Sequence, residues 1–257
     1  MHYIGSKYYM RKPIAEIINK VTLGRDFVSL FCGSCTVEAL INANRRILND
    51  KQPFIASMWN AVINGYRFPK DTYTKEDHDA MKEKWIAGEV PEDQYPECAF
   101  LMTCYSMFGR WGSTYYRNAY KKDPTHEYNG MKNIYKRAEQ MRGNTIVLNM
   151  DYKDVPIPSG AVIFADPPYY GVETNVWGLN EKFNHDAFWE YMRKLTDNGH
   201  LVFVTESTAP DDFKPVYTRT KKALSQIRYD KQYKEYKDCL WVHQSQKDLL
   251  KGLEVTK

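Results

Sequence analysis

Four residues, Asp166-Pro167-Pro168-Tyr169, follow directly on the apolar run Val162 to Ala165 and have the types needed to hold an amino group. The run reads as a buried strand, and the prolines end it because each fixes φ at about −65° and lacks an N–H group. An amine on an aromatic ring has a delocalised lone pair, so two hydrogen-bond acceptors would push its nitrogen towards a nucleophilic geometry. The Asp166 carboxylate and the Pro168 carbonyl are suitable acceptors. The Tyr169 ring offers a flat face on which a base can stack for ~1–3 kcal/mol.

The alternative is a strand that ends in a Pro-Pro turn without any function. Chance occurrence of this tetrapeptide in a chain of this length is on the order of one in a thousand. Its position also matters, because ligands of open α/β sheets gather outside the carboxyl ends of the strands, where Asp166 is expected. We therefore interpret the tetrapeptide as the active site.

A strand, a tight turn and a predicted helix in the first half of the chain have the pattern of a nucleotide site. Asp26 to Phe31 reads as a short buried strand, Cys32 to Thr36 as the turn and Val37 to Asn44 as the helix. Gly33 would let the backbone approach a ligand closely, and the helix N-terminus would favour an anionic group. The next strand ends at Asp50, about 20 residues on, as the ribose-binding acid does in nucleotide folds. A solvated acid at a strand end is the alternative.

The cysteines allow a different interpretation of the same turn. Cys32-Gly33-Ser34-Cys35 has the spacing of a thioredoxin-like redox motif. The chain has 5 cysteines, an odd number without a regular framework, so structural disulfides are not expected. No second CxxC or pair of histidines at ligand spacing completes a zinc site, and we expect no metal.

The elements that position these residues predict an α/β sheet with an insertion. The alternation of strands and helices runs to about residue 69, stops, and resumes near residue 143. The region between reads as mainly helical and lacks convincing strand patterns. We therefore divide the chain into residues 1–69, an insertion at 70–142 and residues 143–257.

The sheet is predicted to resume with strands at Thr145 to Leu148 and at Asp151-Tyr152. A loop from Tyr170 to Asn184 is long enough to act as a lid over the strand ends. A helix and a strand at Leu201 to Thr205 follow. The remaining segment, which ends in an apolar strand at Cys239 to Val242, predicts an antiparallel hairpin.

Composition indicates a globular protein with a segregated charge. With 43% hydrophobic and 26% charged residues the chain is neither disordered nor fibrous, and without a membrane span or signal peptide it is expected to be cytoplasmic. The net charge is +4, but residues 105–142 carry 8 Lys/Arg against 3 Asp/Glu, and residues 214–237 carry 8 against 2. This asymmetry predicts a polyanion-binding face, with exposed basic loops as the alternative. The oligomeric state is not indicated.

Five motifs together resemble the Dam-type adenine N6 DNA methyltransferases, and they occur in that family's order. The resemblance spans nearly the whole chain. It implies a Rossmann-like sheet of seven strands with the last one antiparallel, S-adenosylmethionine as cofactor and double-stranded DNA as substrate. Residues 1–69 would form the cofactor-binding half, 70–142 the target-recognition domain and 143–257 the catalytic half. The motifs are Tyr3-Ile4-Gly5-Ser6-Lys7, Phe31-Cys32-Gly33-Ser34-Cys35, Asp50, Asp151-Tyr152 and Asp166-Pro167-Pro168-Tyr169.

The resemblance also implies roles for single residues. Asp166, Pro167, Pro168 and Tyr169 would hold the target base, and Asp50 would accept the ribose hydroxyls of the cofactor. The amino nitrogen of a paired adenine is inaccessible, so the target nucleotide would flip out of the duplex at a cost of a few kcal/mol. The residues implied to contact the cofactor are Tyr3, Lys7, Phe31, Gly33, Asp50, Asp151 and Tyr152.

Two departures from the family pattern limit what is transferred. Cys35 stands where the family's FxGxG turn has its second glycine. The hairpin by which GATC-reading members recognise DNA is not visible between residues 105 and 142, so GATC specificity is not implied.

The centre of the insertion is a candidate DNA-reading surface. Arg110 and Arg117 are interleaved with aromatic residues such as Trp111, and lysines such as Lys121 follow. Arginine can pair bidentately with guanine, whereas lysine more often meets phosphates. A packed aromatic cluster with exposed charges is the alternative.

The activity itself has two alternatives. The tetrapeptide recognises an NH₂ group more than a particular ring, so the substrate can instead be cytosine, RNA adenine or a protein glutamine, although Asp166 at its first position favours adenine in this family. A non-catalytic DNA- or nucleotide-binding protein with the same fold is the other alternative.

Overall fold

The structure, a computed structural model, describes residues 3–116, 125–224 and 233–250, with side chains described over 3–116, 130–220 and 237–247. Within this described part, seven strands form one sheet. In chain order they are β1 (Phe27–Ser29), β2 (Arg46–Asn49), β3 (Thr145–Leu148), β4 (Val162–Ala165), β5 (Leu201–Glu206), β6 (Phe213–Leu224) and β7 (Tyr233–His243).

The strands are arranged in the order β3-β2-β1-β4-β5-β7-β6. The first five are parallel to their neighbours, and β7 is antiparallel to both β5 and β6. The α/β fold with a Rossmann-like sheet and an antiparallel last strand is thus confirmed, as is the predicted hairpin. The order of the strands reverses between β1 and β4, and such a switch point opens a crevice at the carboxyl ends of the strands.

Helices cover both faces of the sheet. Their starts follow local rules: Thr74 and Asp77 form a capping box, and the Asn184 side chain accepts a hydrogen bond from the backbone N–H of Ala187. The helices are α1 (Arg11–Asn19), α2 (Pro53–Ile63), α3 (Lys75–Ala87), α4 (Tyr95–Cys104), α5 (Thr125–Met141) and α6 (His185–Asp197), with short 3₁₀ turns at Glu38–Leu40, Glu92–Gln94, Met107–Gly109, Thr174–Trp177 and Gln244–Leu250.

Two hydrophobic clusters lie on opposite faces of the sheet because successive strand residues point to opposite sides. In β4, Phe164 belongs to the cluster on the side of α1, α2 and α4, and Ile163 belongs to the cluster on the side of α6. In β1, Phe27 and Val28 divide in the same way. Burial on both faces explains why these strands are continuous apolar runs.

The region predicted as an insertion is mainly helical over its described residues, and it packs on the body of the protein. Helix α4 packs against α2, and Phe100 of α4 shares a hydrophobic cluster with Phe27 of the sheet. Arg137 of α5 donates a hydrogen bond to the carbonyl of Ser34, 2.8 Å away, in the turn after β1. The described helices therefore support the sheet, and a separate target-recognition role for 70–142 stays a prediction.

The predicted helix from Val37 to Asn44 is wrong. Only Glu38–Leu40 is helical, as a 3₁₀ turn, and residues 41–44 have no regular structure. The side chain of Asn19 accepts the backbone N–H of Asn42 and donates to the carbonyl of Leu40. These contacts from α1 compete with the hydrogen bonds that a longer helix would make, so the expected helix is reduced to one 3₁₀ turn.

Asp151-Tyr152, predicted among the strands, lies in a turn. Strand β3 ends at Leu148, and the backbone N–H of Asp154 bonds to the carbonyl of Asp151 at 3.0 Å. All five cysteines are free. Among the described helices, none has the length and apolar composition needed to cross a membrane.

Candidate active site

A cleft of about 700 Å³ opens at the carboxyl edge of the sheet, beside the reversal between β1 and β4. It collects residues from near both ends of the chain and from the segments that follow β1, β2, β3 and β4. Every residue predicted to hold the target base or the cofactor lines this one cleft: Tyr3, Lys7, Phe31, Gly33, Asp50, Asp151, Tyr152, Asp166, Pro167, Pro168 and Tyr169.

Asp166 follows β4, and its carboxylate is held by two donors. Lys7 Nζ lies 2.5 Å from Asp166 Oδ1, and the hydroxyl of Thr205 donates to the same oxygen at 2.7 Å. The Asp166 side chain is 20% exposed. Burial raises the pKa of Asp166, while the Lys7 ammonium and the Thr205 hydroxyl act to lower it. The two donors therefore orient the acid and favour its ionised form.

The Lys7 ammonium lies between the acid and the aromatic ring of the tetrapeptide. Lys7 Nζ is 4.5 Å from the centre of the Tyr169 ring, and it donates to the carbonyl of Gly5 at 2.8 Å. Lys7 is thus bound to the residues predicted to hold the target amine, although the resemblance assigned it to the cofactor. A positive nitrogen already fits between Asp166 and Tyr169.

The backbone after Tyr169 is held by Glu206, a buried acid at the end of β5 that the sequence analysis did not single out. Glu206 Oε2 accepts the backbone N–H of Tyr170 at 3.0 Å, and Oε1 accepts the backbone N–H and the hydroxyl of Ser207 at 2.7 and 2.8 Å. The hydroxyl of Tyr169 is buried without a hydrogen-bond partner among the described residues. An acid at the carboxyl end of a predicted strand was the available signal for Glu206.

At the other end of the cleft, Asp50 joins the turn after β1 to the start of α2. Its carboxylate accepts the backbone N–H of Gly33 at 2.8 Å and that of Gln52 at 3.0 Å. Burial raises the pKa of Asp50 to about 6, against the lowering effect of these two hydrogen bonds. These two hydrogen bonds therefore fix the Asp50 carboxylate beside the turn after β1.

Gly33 is required by close packing. A Cβ placed on Gly33 would lie 3.0 Å from the Tyr3 ring, and Trp59 Nε1 donates to the Gly33 carbonyl at 2.7 Å. Cys35 has φ at 48°, in the left-handed region that glycine occupies readily. The departure from FxGxG thus keeps the backbone shape of a glycine at a cost of ~1–2 kcal/mol.

Aromatic rings and an ion-pair network form the outer wall beside Asp50. The Phe31 and Tyr152 ring centres are 5.3 Å apart and the rings are tilted by 35°, giving an apolar wall. Lys51 Nζ lies 3.0 Å from Asp151 Oδ2 and 2.5 Å from Glu181 Oε1. This end of the cleft therefore combines apolar faces with paired acids, which suits an adenosine group.

Glu38 lines the cleft and is another acid that the sequence analysis missed. It is 3% exposed, and its carboxylate accepts the hydroxyl of Ser29 at 2.9 Å and the backbone N–H of Val37 at 3.1 Å. Burial raises the pKa of Glu38 to about 7, while its own and its neighbours' hydrogen bonds lower it. The Glu38 carboxylate thus holds the turn against β1. The spacing of Glu38 in the sequence did not predict this role.

Residues 3–233 match the family described as D12 class N6 adenine-specific DNA methyltransferase. The chain belongs to this family. The match includes the motifs at Tyr3–Lys7 and Asp166–Tyr169 and thus confirms the resemblance to adenine N6 DNA methyltransferases. It identifies the protein as an enzyme that methylates adenine in DNA.

The individual solved structures that are similar to this chain share little sequence identity with it. The rRNA methyltransferase AviRa of Streptomyces viridochromogenes is 12% identical, with a TM-score of 0.37 over 92% of this chain and 84% of that chain. The tRNA (m1A58) methyltransferase TrmI of Aquifex aeolicus is 11% identical, with a TM-score of 0.35 over 91% and 68% of the two chains. No curated protein matches this chain.

The predicted DNA-reading residues of this methyltransferase have different surroundings. Arg110 is exposed in a turn. Trp111 is only 6% exposed and packs with Phe54 and Trp85, at ring-centre distances of 5.6 and 6.0 Å. For Trp111 this is the packed aromatic cluster that the sequence left as the alternative. Arg117 and Lys121 lie outside the described residues.

The loop between Tyr170 and Asn184 lies over the cleft of the methyltransferase. Trp177 Nε1 donates to the Ile4 carbonyl at 3.1 Å, and the backbone N–H of Trp111 bonds to the Val176 carbonyl at 2.9 Å. The loop is therefore hydrogen-bonded to the N-terminal motif and to the helical region. These contacts connect the loop, the N-terminal motif and the helical region around the cleft.

Proposed function

We propose that this methyltransferase transfers the sulfonium methyl group of S-adenosylmethionine to the exocyclic N6 atom of an adenine flipped out of double-stranded DNA. The observation that carries the proposal is the arrangement of Lys7, Asp166 and Tyr169, in which a positive nitrogen sits between a carboxylate and an aromatic face. A methylated amine passes through a similarly charged state. The family supports adenine and DNA, whereas the cofactor, the duplex and the individual roles are our assignments.

The end of the cleft at Asp50 fits the cofactor. Gly33 lies at this end of the cleft, where its backbone N–H donates to Asp50 and a Cβ placed on it would lie 3.0 Å from the Tyr3 ring. We assign Asp50 to the ribose hydroxyls, Phe31 to the methionine side, and Asp151 with the Tyr152 backbone to the adenine. The cofactor supplies an activated methyl group, and the protein's part is to hold it in line with the acceptor nitrogen.

The end of the cleft at Asp166 fits the target amine. Lys7 and Thr205 both bind Oδ1 of Asp166, so we expect Oδ2 to accept one amine hydrogen and the Pro168 carbonyl to accept the other. The fixed carboxylate then stabilises the positive charge that grows on nitrogen, an effect typically worth 10²–10³ in rate, or roughly 3–4 kcal/mol. Tyr169 would stack on the base.

Methyl transfer from labelled S-adenosylmethionine to mixed-sequence duplex DNA tests the proposal, with the product nucleosides separated to identify N6-methyladenine. We expect Asp166→Ala to lower the rate by about 10²–10³ while cofactor affinity stays nearly intact. Asp154→Ala, which removes an exposed acid of the turn after Asp151, is the matched control and should keep full activity. Label on cytosine, or a folded Asp166→Ala protein with more than roughly a tenth of the normal rate, would contradict the assignment.

A further inference from the structure

Two neighbouring tyrosines and two arginines have no part in the chemistry described above, and Tyr9 and Arg219 among them line the cleft. Tyr8 and Tyr9 follow Lys7 directly, Arg11 begins α1, and Arg219 lies on β6. We propose that these four residues, the entrance surface, bind the DNA strand that carries the target adenine as it enters the cleft. The inference rests on the proposed function and adds to it a binding surface outside the predicted DNA-reading segment.

The two tyrosine rings are presented to solvent. Tyr8 is 48% exposed and Tyr9 is 72% exposed, and their ring centres lie 5.4 Å apart in an edge-to-face arrangement. Single exposed apolar residues are common on proteins, but two adjacent large rings beside an active site form a patch. Exposed aromatic rings are the platforms on which bases of a single strand stack, and every base has a face that can do so.

Each ring is paired with an arginine. The Arg11 guanidinium lies 3.7 Å from the centre of the Tyr8 ring, and the Arg219 guanidinium lies 4.7 Å from the centre of the Tyr9 ring. A guanidinium held on an aromatic face is fixed in orientation without losing its charge. Such a pair offers a stacking face and a phosphate-binding fork side by side, which is the combination that a nucleic acid strand requires.

Arg219 has unused hydrogen-bonding capacity. Its Nη1 atom is buried and has no hydrogen-bond partner among the described residues. Asp238 of β7 lies opposite Arg219 in the strand register, so the neighbourhood is not uniformly positive. A buried donor left without a partner is costly in a protein, so the Arg219 side chain would gain a charge-assisted bond by turning towards a phosphate oxygen.

The entrance surface lies at the target end of the cleft. Tyr9 and Arg219 line the same cleft as Lys7 and Asp166, whereas Arg110 does not. Burial is the main cause that raises the pKa of Asp166, and the nearby charge of Asp238, the register partner of Arg219, adds to it. A strand that crosses Tyr9 and Arg219 would therefore deliver its nucleotide to Asp166 and not to the cofactor end.

The test measures the affinity of the full chain for a fluorescein-labelled duplex of mixed sequence, by anisotropy over a range of salt concentrations. We expect Tyr9→Ala to weaken binding by about 5- to 100-fold, and Tyr9→Phe to bind within about twofold of wild type, since phenylalanine also stacks. Arg219→Ala should weaken binding and lower the salt slope by about 1. The affinity for S-adenosylmethionine, measured by calorimetry, should not change in these variants.

Arg45→Ala is the matched control, because Arg45 is an exposed arginine paired with Asp26 at the amino end of β2, at the opposite edge of the sheet. It should leave the affinity and the salt slope unchanged. Folded Tyr9→Ala and Arg219→Ala proteins that bind DNA like wild type, while wild type methylates adenine, would overturn the entrance surface alone. A wild-type protein that binds the duplex but transfers no methyl would overturn the proposed function alone, and one that does not bind DNA would overturn both.

Discussion

The ammonium of Lys7 lies 2.5 Å from Asp166 Oδ1 and 4.5 Å from the centre of the Tyr169 ring. This contact joins the N-terminal motif to the tetrapeptide after β4. The Asp166 side chain is only 20% exposed, and burial raises the pKa of its carboxyl while the Lys7 ammonium acts to lower it, so the lysine favours the ionised form of the acid.

Replacing Lys7 by methionine is expected to change the pH dependence of methyl transfer. Burial already raises the pKa of Asp166, and without the ammonium nothing from Lys7 counters it, so the pKa rises further. A neighbouring positive charge lowers the pKa of an acid. The acid limb of the kcat profile should therefore move to higher pH. Lys51→Met, which removes a lysine at the cofactor end, is the control and should leave the acid limb of the profile in place. If the profiles of Lys7→Met and wild type superimpose, Lys7 does not affect the pKa of Asp166.

Binding of S-adenosylmethionine without DNA should depend on Asp50 and Asp151. Loss of a hydrogen bond to a charged group costs roughly 1.5–3 kcal/mol, so Asp50→Ala and Asp151→Ala should each weaken binding by roughly 10- to 100-fold in calorimetry. Because Asp50 also holds Gly33 and Gln52, thermal unfolding must show that the variant is folded. Saturable binding that is unchanged in both variants would place the cofactor elsewhere.

Glu38→Gln is expected to alter how stability depends on pH. Burial raises the pKa of Glu38 from an ordinary 4.5 to about 7 in the folded protein. Between these values the native state binds the proton more tightly than the unfolded state, so this group makes the free energy of unfolding fall as the pH rises. A shift of this size corresponds to roughly 3 kcal/mol.

Relative to wild type, the free energy of unfolding of Glu38→Gln should therefore rise with pH up to about 7 and then level off, as measured by urea denaturation. Glu139→Gln, which changes an exposed acid of α5, is the control and should show a constant difference. A constant difference for Glu38→Gln as well would mean that this acid has an ordinary pKa in the folded protein.

Sequence preference is expected to depend on Arg110 and Arg117. If these arginines read guanine edges, Arg110→Ala or Arg117→Ala should relax the preferred methylation site, with ~1–3 kcal/mol of discrimination lost. Lys121→Ala should weaken binding to all sequences and flatten its salt dependence. Sequencing of methylated adenines from cells that express each variant measures the site preference. An unchanged preference in both arginine variants would indicate that the basic segment 214–237 reads the sequence instead.

The sequence by itself determined the parts of this protein that depend on short-range rules. The strand that ends at Asp166 follows from an apolar run and two prolines, which restrict the backbone wherever they occur. Asp50 was placed by its distance from the preceding strand, and the hairpin by its composition. Parallel strands end at one edge of a sheet, so these predictions placed Asp50 and Asp166 at the same edge.

Tertiary contacts decided the rest. The pairing of Lys7 with Asp166 joins opposite parts of the chain, and the acid Glu206 became visible only when Tyr170 was seen to donate to it. The predicted helix after the turn failed because Asn19, distant in sequence, takes hydrogen bonds that the helix needed. Trp111 had the sequence surroundings of a surface residue, yet it packs into an aromatic cluster. In each case the deciding energy comes from a partner that is far away in sequence, and local periodicity carries no information about that partner.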